Sequence, residues 1–141
     1  MNLVVQAQAN APLSTVRKVL WLDAASSFGA AVLLLLFAGP LQPLLGLDAQ
    51  LLRVVGALFL PFVACVAWVA ASDRTPRVAL GWIVVLNALW VVLCLAVLAL
   101  AWLQPTALGT LFIVGQALFV GAMAAGQFIG LRHLSPDAWA S

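Results

Sequence analysis

The sequence predicts an all-α membrane protein in which four transmembrane helices form an antiparallel bundle with both termini in the cytoplasm. Hydrophobic residues make up 66% of the chain and charged residues only 7%, whereas soluble domains carry about 25% charged residues. Residues 78–131 form a run of 54 without one charged side chain. As a single helix this run would be about 80 Å long, so it must fold back within a hydrocarbon core of about 30 Å.

Four apolar segments are each long enough to cross a bilayer. They make one domain, residues 1–141, with predicted spans over 17–38, 51–71, 78–102 and 107–131. Ser14 follows Pro12 and is an N-cap candidate for the first helix. The predicted connections contain proline, and the residues 39–50 also contain glycine, as loops do.

The basic residues predict the orientation of the spans. Arg17, Lys18, Arg74, Arg77 and Arg132 all fall on one side of a four-span arrangement. The opposite side has only Arg53. The positive-inside rule therefore predicts that both termini of this multi-pass protein are cytoplasmic.

Asp23 is the one acidic residue inside a predicted span. It comes five residues after Lys18, so we expect it about 7–8 Å inside the cytoplasmic interface. One interpretation is an interfacial carboxylate that pairs with a nearby cation (Lys18, Arg74, Arg77 or Arg132) or bonds to Ser27. The other is a proton- or cation-binding carboxylate in a transport path, because ionisable groups within membranes are often functional.

Two further polar residues lie deep in the predicted spans. Asn87 and Gln116 are expected at similar depths on neighbouring helices, where their amides could pair and hold the helices together. A polar lining for a ligand or ion path is the alternative. Gln127 is interpreted as a packing residue.

Small residues recur at four-residue spacing along the fourth span. One ridge contains Gly121 and Ala125, and the other contains Gly126 and Gly130. Such ridges allow helices to approach closely. One face could therefore pack within the bundle and the other against a second copy, another membrane protein or lipid.

The sequence lacks the motifs of familiar enzyme classes. His133 is the single histidine, and Cys65 and Cys94 lack metal-ligand or redox spacing. We therefore expect no catalytic residue, no metal site and no cofactor. No Lys/Arg-rich run indicates a nucleic-acid partner, so the lipid bilayer is the expected surrounding.

Several stretches resemble a group of uncharacterised small bacterial integral membrane proteins with four helices. The similar stretches are LDAASSFGA (22–30), GPLQPLLGL (39–47), LLRVVGALFLPF (51–62), LNALWV (86–91) and PTALGTLF (105–112). The resemblance implies a bacterial inner membrane and transfers no site residue.

The sequence favours a non-enzymatic membrane protein with a structural, accessory or interaction role. The alternative is a small transporter of cations or drugs that works as an oligomer with Asp23 as the coupling carboxylate. Small multidrug transporters are similar in having four short-looped helices and an acidic residue in the first. This chain differs from them in having no tyrosine and in the expected position of Asp23 near the interface.

Overall fold

The computed structural model describes residues 3–133, with side chains described for Leu3 and for residues 13–133. This part of the chain is helical throughout apart from its connections, which confirms the all-α class. The helices are α1 (Leu3–Leu36), α2 (Ala38–Leu45), α3 (Ala49–Ala71), α4 (Arg77–Ala99) and α5 (Ala107–His133). Four segments are long and apolar enough to cross a membrane: Leu13–Leu36 of α1, and all of α3, α4 and α5. They match the four predicted spans to within a few residues.

The first helix begins earlier than predicted. Ser14 lies inside α1, which continues through Pro12, so the predicted N-cap at Ser14 is wrong. The residues before Pro12 are mostly alanine, glutamine, leucine and valine, without glycine. Several of these are good helix formers, which favours helix on both sides of the proline.

The first predicted loop contains a short helix, α2. Pro40 lies in the first turn of α2, where the missing N–H costs nothing. Gly46 ends α2 in the left-handed conformation (φ 67°), and its N–H donates to the Gln42 carbonyl at 2.9 Å. Leu45 of α2 is buried among apolar residues at this end of the bundle. Proline in the first turn and glycine just past the last are themselves typical of a helix, and burial of Leu45 also favours it.

The helices associate mainly in two pairs. α1 packs along α3, α4 packs along α5, and α1 also contacts α5, whereas α3 and α4 scarcely touch. Arg17 joins the first pair at one end, because its Nη2 donates to the carbonyls of Ser72 (2.5 Å) and Asp73 (2.8 Å) just after α3. We call this the arginine end. Arg77 at the start of α4 follows the same short connection.

Thr106 joins the helices at the opposite end. Its backbone N–H donates to the Leu45 carbonyl at 3.0 Å, and its hydroxyl donates to the Leu44 carbonyl at 2.6 Å. The same hydroxyl accepts from the Gly109 N–H at 3.0 Å, as an N-cap of α5 does. The loop predicted at residues 104–106 is therefore confirmed, and it is also fastened to α2.

Both small-residue faces of α5 lie against helices of the same chain. A Cβ placed at Gly121 would lie 3.8 Å from Val91 of α4, and one at Gly126 would lie 3.6 Å from Val19 of α1. A Cβ at Gly130 would collide with Val16 of α1. Parts of both faces therefore pack within the chain, and a second protein against one of them stays a prediction. Ala125, expected to pack with Gly121, is exposed.

Candidate functional site

Four polar side chains from three helices meet inside the bundle. Asp23 and Ser27 come from α1, Asn87 from α4 and Gln127 from α5. Asp23, Asn87 and Gln127 are exposed by 1%, 3% and 0%. We call these four residues the carboxylate–amide cluster.

The two oxygens of Asp23 have different surroundings. Oδ2 accepts from Asn87 Nδ2 at 2.8 Å and from Gln127 Nε2 at 2.6 Å. Oδ1 accepts only a long bond, 3.4 Å, from the Ser27 hydroxyl. One oxygen is thus saturated by amide donors, whereas the other keeps capacity to accept.

Asn87 occupies the centre of the cluster. Its Nδ2 donates to Asp23 and also to Gln127 Oε1 at 3.0 Å, so both amide hydrogens are used. Among the side chains described, none is seen to donate to Asn87 Oδ1. Asn87 therefore uses its donors on the cluster and leaves its acceptor oxygen available.

The partners of Asp23 are neutral. Ser27, Asn87 and Gln127 all donate to it, and the described residues place no cation on the carboxylate. The sequence gives two structural interpretations of Asp23, a bond to Ser27 and a pairing with a basic residue. Among the described residues, the bond to Ser27 is present and the pairing is not. Arg17, one turn and a half earlier on α1, binds backbone carbonyls instead.

The cluster lies in the half of the bundle nearer the arginine end. Asp23 comes six residues after Arg17, Asn87 ten after Arg77 and Gln127 five before Arg132. At about 1.5 Å per residue these offsets are about 8–15 Å. The depth that the sequence predicts for Asp23 is close to the smallest of these offsets. Asp23 is nevertheless shielded from water, because other helices bury it.

A groove opens between α3 and α4, where these two helices scarcely touch. Its volume is about 530 Å³. The walls are apolar and aromatic, with Phe59 and Phe62 on α3 and Trp90 on α4, whereas Ser27 and Asn87 contribute polar atoms. The Trp90 ring packs edge-on against Phe59 with centroids 5.0 Å apart. The groove therefore connects an apolar surface to the carboxylate–amide cluster.

Gln116 lies away from this cluster. It lines a cavity of about 390 Å³ together with Ser26 and Ser27, and another of about 310 Å³ that is almost wholly apolar. The amide pair predicted between Asn87 and Gln116 is not formed, because Asn87 lies with Asp23 and Gln127, whereas Gln116 lines cavities that Asn87 does not reach.

Gln127 is the residue that the sequence interpretation missed. Matching polar residues by their depth within each span pairs Asn87 with Gln116. The sequence does contain a signal for the contact of Gln127 with Asp23, which is the number of residues between each of them and the nearest arginine. Gln127 is five residues from Arg132 and Asp23 is six from Arg17, which places both at a similar distance from the arginine end. The contact itself required the packing of α5 against α1 and α4.

The cluster offers hydrogen bonding and one negative charge, and no metal-ligand set. Among the described residues, no group of three His, Cys, Asp or Glu side chains lies close enough to hold a metal ion. Cys65 is exposed, Cys94 is buried and both thiols are free. The arrangement can hold helices together and can attract a cation.

Four apolar helices of spanning length, with a polar cluster buried between them, are typical of a multi-pass helical membrane protein. Comparisons with protein-family models, curated proteins and solved structures found no match for this chain.

Proposed function

We propose that the chain is a non-enzymatic membrane protein with a structural, accessory or interaction role, in which the carboxylate–amide cluster holds the bundle together. The observation that carries this proposal is that Asp23 Oδ2 receives amide hydrogens from both α4 and α5. Three helices thus meet at one oxygen. In an apolar surrounding an unsatisfied amide or carboxylate is costly, so these bonds favour one packing of the helices.

The proposed bundle is antiparallel, with both termini in the cytoplasm of a bacterial cell and the spans in the inner membrane. The contact of Arg17 with the residues after α3 supports alternating directions for α1 and α3. The arginine end is the cytoplasmic end by the positive-inside rule. Lipid covers the many exposed apolar side chains, such as Leu58, Leu89 and Leu118.

The orientation is tested with single introduced cysteines and a membrane-impermeant maleimide, in a Cys65→Ala, Cys94→Ala background. In intact cells we expect labelling at Gln50, at the opposite end, and none at Asp73 until the cells are permeabilised. Labelling of Asp73 in intact cells would contradict the orientation. The background protein without an introduced cysteine controls for other thiols.

The structural role is tested with Asp23→Asn and, as a matched control, Asp73→Asn on the exposed connection at the arginine end. Asparagine keeps the shape of aspartate but replaces one acceptor oxygen with a donor. We expect Asp23→Asn to lower the unfolding temperature in detergent and Asp73→Asn to leave it unchanged. Equal unfolding temperatures in both variants would remove the basis for a cluster that holds the helices together.

A second candidate function is a small cation transporter with Asp23 as the coupling carboxylate. It is favoured by one observation, that every described group donating to this buried carboxylate is neutral. Buried charges in membrane helices usually have a charged partner or a functional ligand.

Proteoliposomes with an imposed pH gradient distinguish the two candidates. The first predicts no cation flux above that of empty liposomes. Proton-coupled uptake of a cation by the wild type that disappears in Asp23→Asn would favour the transporter and reject the first candidate. The Asp73→Asn protein again serves as the control for a general effect of charge.

A further inference from the structure

We infer that the groove between α3 and α4 is a binding site, within one chain, for a hydrophobic organic cation that enters from the lipid. The hydrophobic part would lie between the aromatic walls and the positive charge beside Ser27 and Asn87. This inference does not require transport, and it goes beyond a cluster that only joins helices.

The shape of the groove follows from the pairing of the helices. α1 packs along α3 and α4 along α5, so α3 and α4 approach each other closely at few points. Side chains such as Phe59 and Trp90 meet across the space between them. The resulting space of about 530 Å³ is large enough for a small organic molecule, because ligand pockets are commonly about 300–1,000 Å³. Leu58 and Leu89 on its two walls are more than half exposed, as expected at an opening toward lipid.

The inner part of the groove is polar. Asn87 is exposed by only 3%, lines the groove and has an acceptor oxygen that receives no described hydrogen bond. Ser27 also lines the groove and connects it to Asp23 Oδ1. The oxygens of Asn87 and Ser27 are thus available acceptors beside the Asp23 carboxylate. The buried indole N–H of Trp90, which has no hydrogen-bond partner among the described residues, is an available donor.

Among the described residues, no basic side chain competes with a ligand for Asp23. No basic or acidic side chain lines the groove, and the described donors to Asp23 are neutral. A positive charge at Ser27 and Asn87 would lie one side chain away from the carboxylate, in a region where water screens little. Phe59, Phe62 and Trp90 present aromatic rings, which favour cations over neutral or anionic molecules. Charge and shape together indicate a hydrophobic cation as the occupant.

The test compares two probes of nearly the same shape and opposite charge, tetraphenylphosphonium and tetraphenylborate. Cys65 is the reporter, because it is exposed and lines the groove. The protein carries Cys94→Ala and is placed in phosphatidylcholine nanodiscs, and the rate of Cys65 alkylation by N-ethylmaleimide is measured with each probe. Binding of both probes is also measured against empty nanodiscs.

We expect tetraphenylphosphonium to bind above the empty-nanodisc level and to slow alkylation, and tetraphenylborate to do neither. Asp23→Asn should weaken phosphonium binding at least about ten-fold, which corresponds to about 1.4 kcal/mol. Leu89→Trp should fill the groove and weaken binding without touching the cluster. Leu95→Trp, at an exposed position on α4 that does not line the groove, should bind as the wild type does.

Equal protection by both probes would show that the groove accepts any hydrophobic molecule, such as an acyl chain, and would overturn the inference. So would wild-type binding in a folded Asp23→Asn protein, or equal effects of Leu89→Trp and Leu95→Trp. If Asp23→Asn does not fold, the two tryptophan variants and the two probes decide the question. Failure of binding would leave the effect of the cluster on stability intact, so the two proposals fail separately.

Discussion

Gln127 Nε2 donates a hydrogen bond of 2.6 Å to Asp23 Oδ2, and this bond joins α5 to α1 across 104 positions of the chain. Gln127 is fully buried. Its carboxamide oxygen accepts from Asn87, so one side chain bonds to both of the other helices in the cluster. The bond makes the part of α5 that follows Gly121 belong to the same packed unit as the first span.

Replacing Gln127 with leucine should destabilise the bundle. Leucine is similar in size but leaves Asp23 with one donor fewer and Asn87 without its second acceptor. Loss of a partner for a buried polar group costs about 1–3 kcal/mol. The measurement is the free energy of unfolding in mixed micelles titrated with sodium dodecyl sulfate.

Gln116→Leu is the matched control on the same helix. Gln116 is half-buried and lines two cavities instead of joining the cluster. We expect its substitution to change the unfolding free energy by less than about 0.5 kcal/mol. A loss at Gln116 as large as that at Gln127 would contradict the assignment of the cluster.

Gly109 should not tolerate even a methyl group. A Cβ at this position would overlap the carbonyl oxygen of Leu45 at the end of α2. Because backbone rather than a flexible side chain blocks the space, Gly109→Ala should separate α5 from α2 and cost about 1–3 kcal/mol. Thermal unfolding in detergent, followed by circular dichroism, measures this loss.

Gly115→Ala provides the control, since nothing lies within 4 Å of a Cβ at Gly115. Alanine is a better helix former than glycine by about 1 kcal/mol. We therefore expect this variant to be as stable as the wild type or more stable. The opposite order of the two alanine variants would show that α2 does not approach α5 as described.

Arg17→Met should loosen the arginine end. The guanidinium of Arg17 donates to two carbonyls just beyond the C-terminus of α3, where a positive charge is favourable. Hydrogen bonds to charged groups contribute about 1.5–3 kcal/mol, and the half-exposed position of Arg17 lowers this to about 1–2 kcal/mol. The unfolding free energy in mixed micelles should fall by this amount.

Lys18→Met tests whether the effect belongs to the contact or to the charge alone. Lys18 is exposed and adjacent to Arg17, so both variants lose one positive charge near the same membrane surface. We expect little change in unfolding free energy at Lys18. If the two variants lose equal stability, the contact of Arg17 with Ser72 and Asp73 contributes nothing specific.

Asp48 should contribute to α3 as its N-cap. Its carboxylate accepts from the backbone N–H of Gln50 at 2.9 Å and of Leu51 at 3.2 Å. Asp48→Ala should therefore cost about 1 kcal/mol, and Asp48→Asn, which keeps an acceptor, should cost much less. Equal losses in the two variants would assign the effect to charge instead of capping. The unfolding free energy is again the measured quantity.

The sequence by itself determined the class and the spans, because the length of an apolar run and the spacing of arginines are properties of the chain alone. The run from 78 to 131 requires two crossings whatever its neighbours are. Asp23 was likewise identifiable as unusual, since a carboxylate in an apolar span is costly wherever it lies. These inferences needed no knowledge of which helices touch.

Only the tertiary structure decided which polar residues meet. Gln116 and Gln127 are 11 residues apart, or about three turns, so they lie on nearly the same face of α5. The position of α5 along the bundle therefore selects which of them meets Asn87. Close approaches of Gly109 to α2 and of Gly130 to α1 are consistent with this position. The groove beside the cluster also depends on how the helices pack. It exists because α1 pairs with α3 and α4 with α5, and pairing between helices depends on side-chain packing that the order of residues along one helix does not reveal.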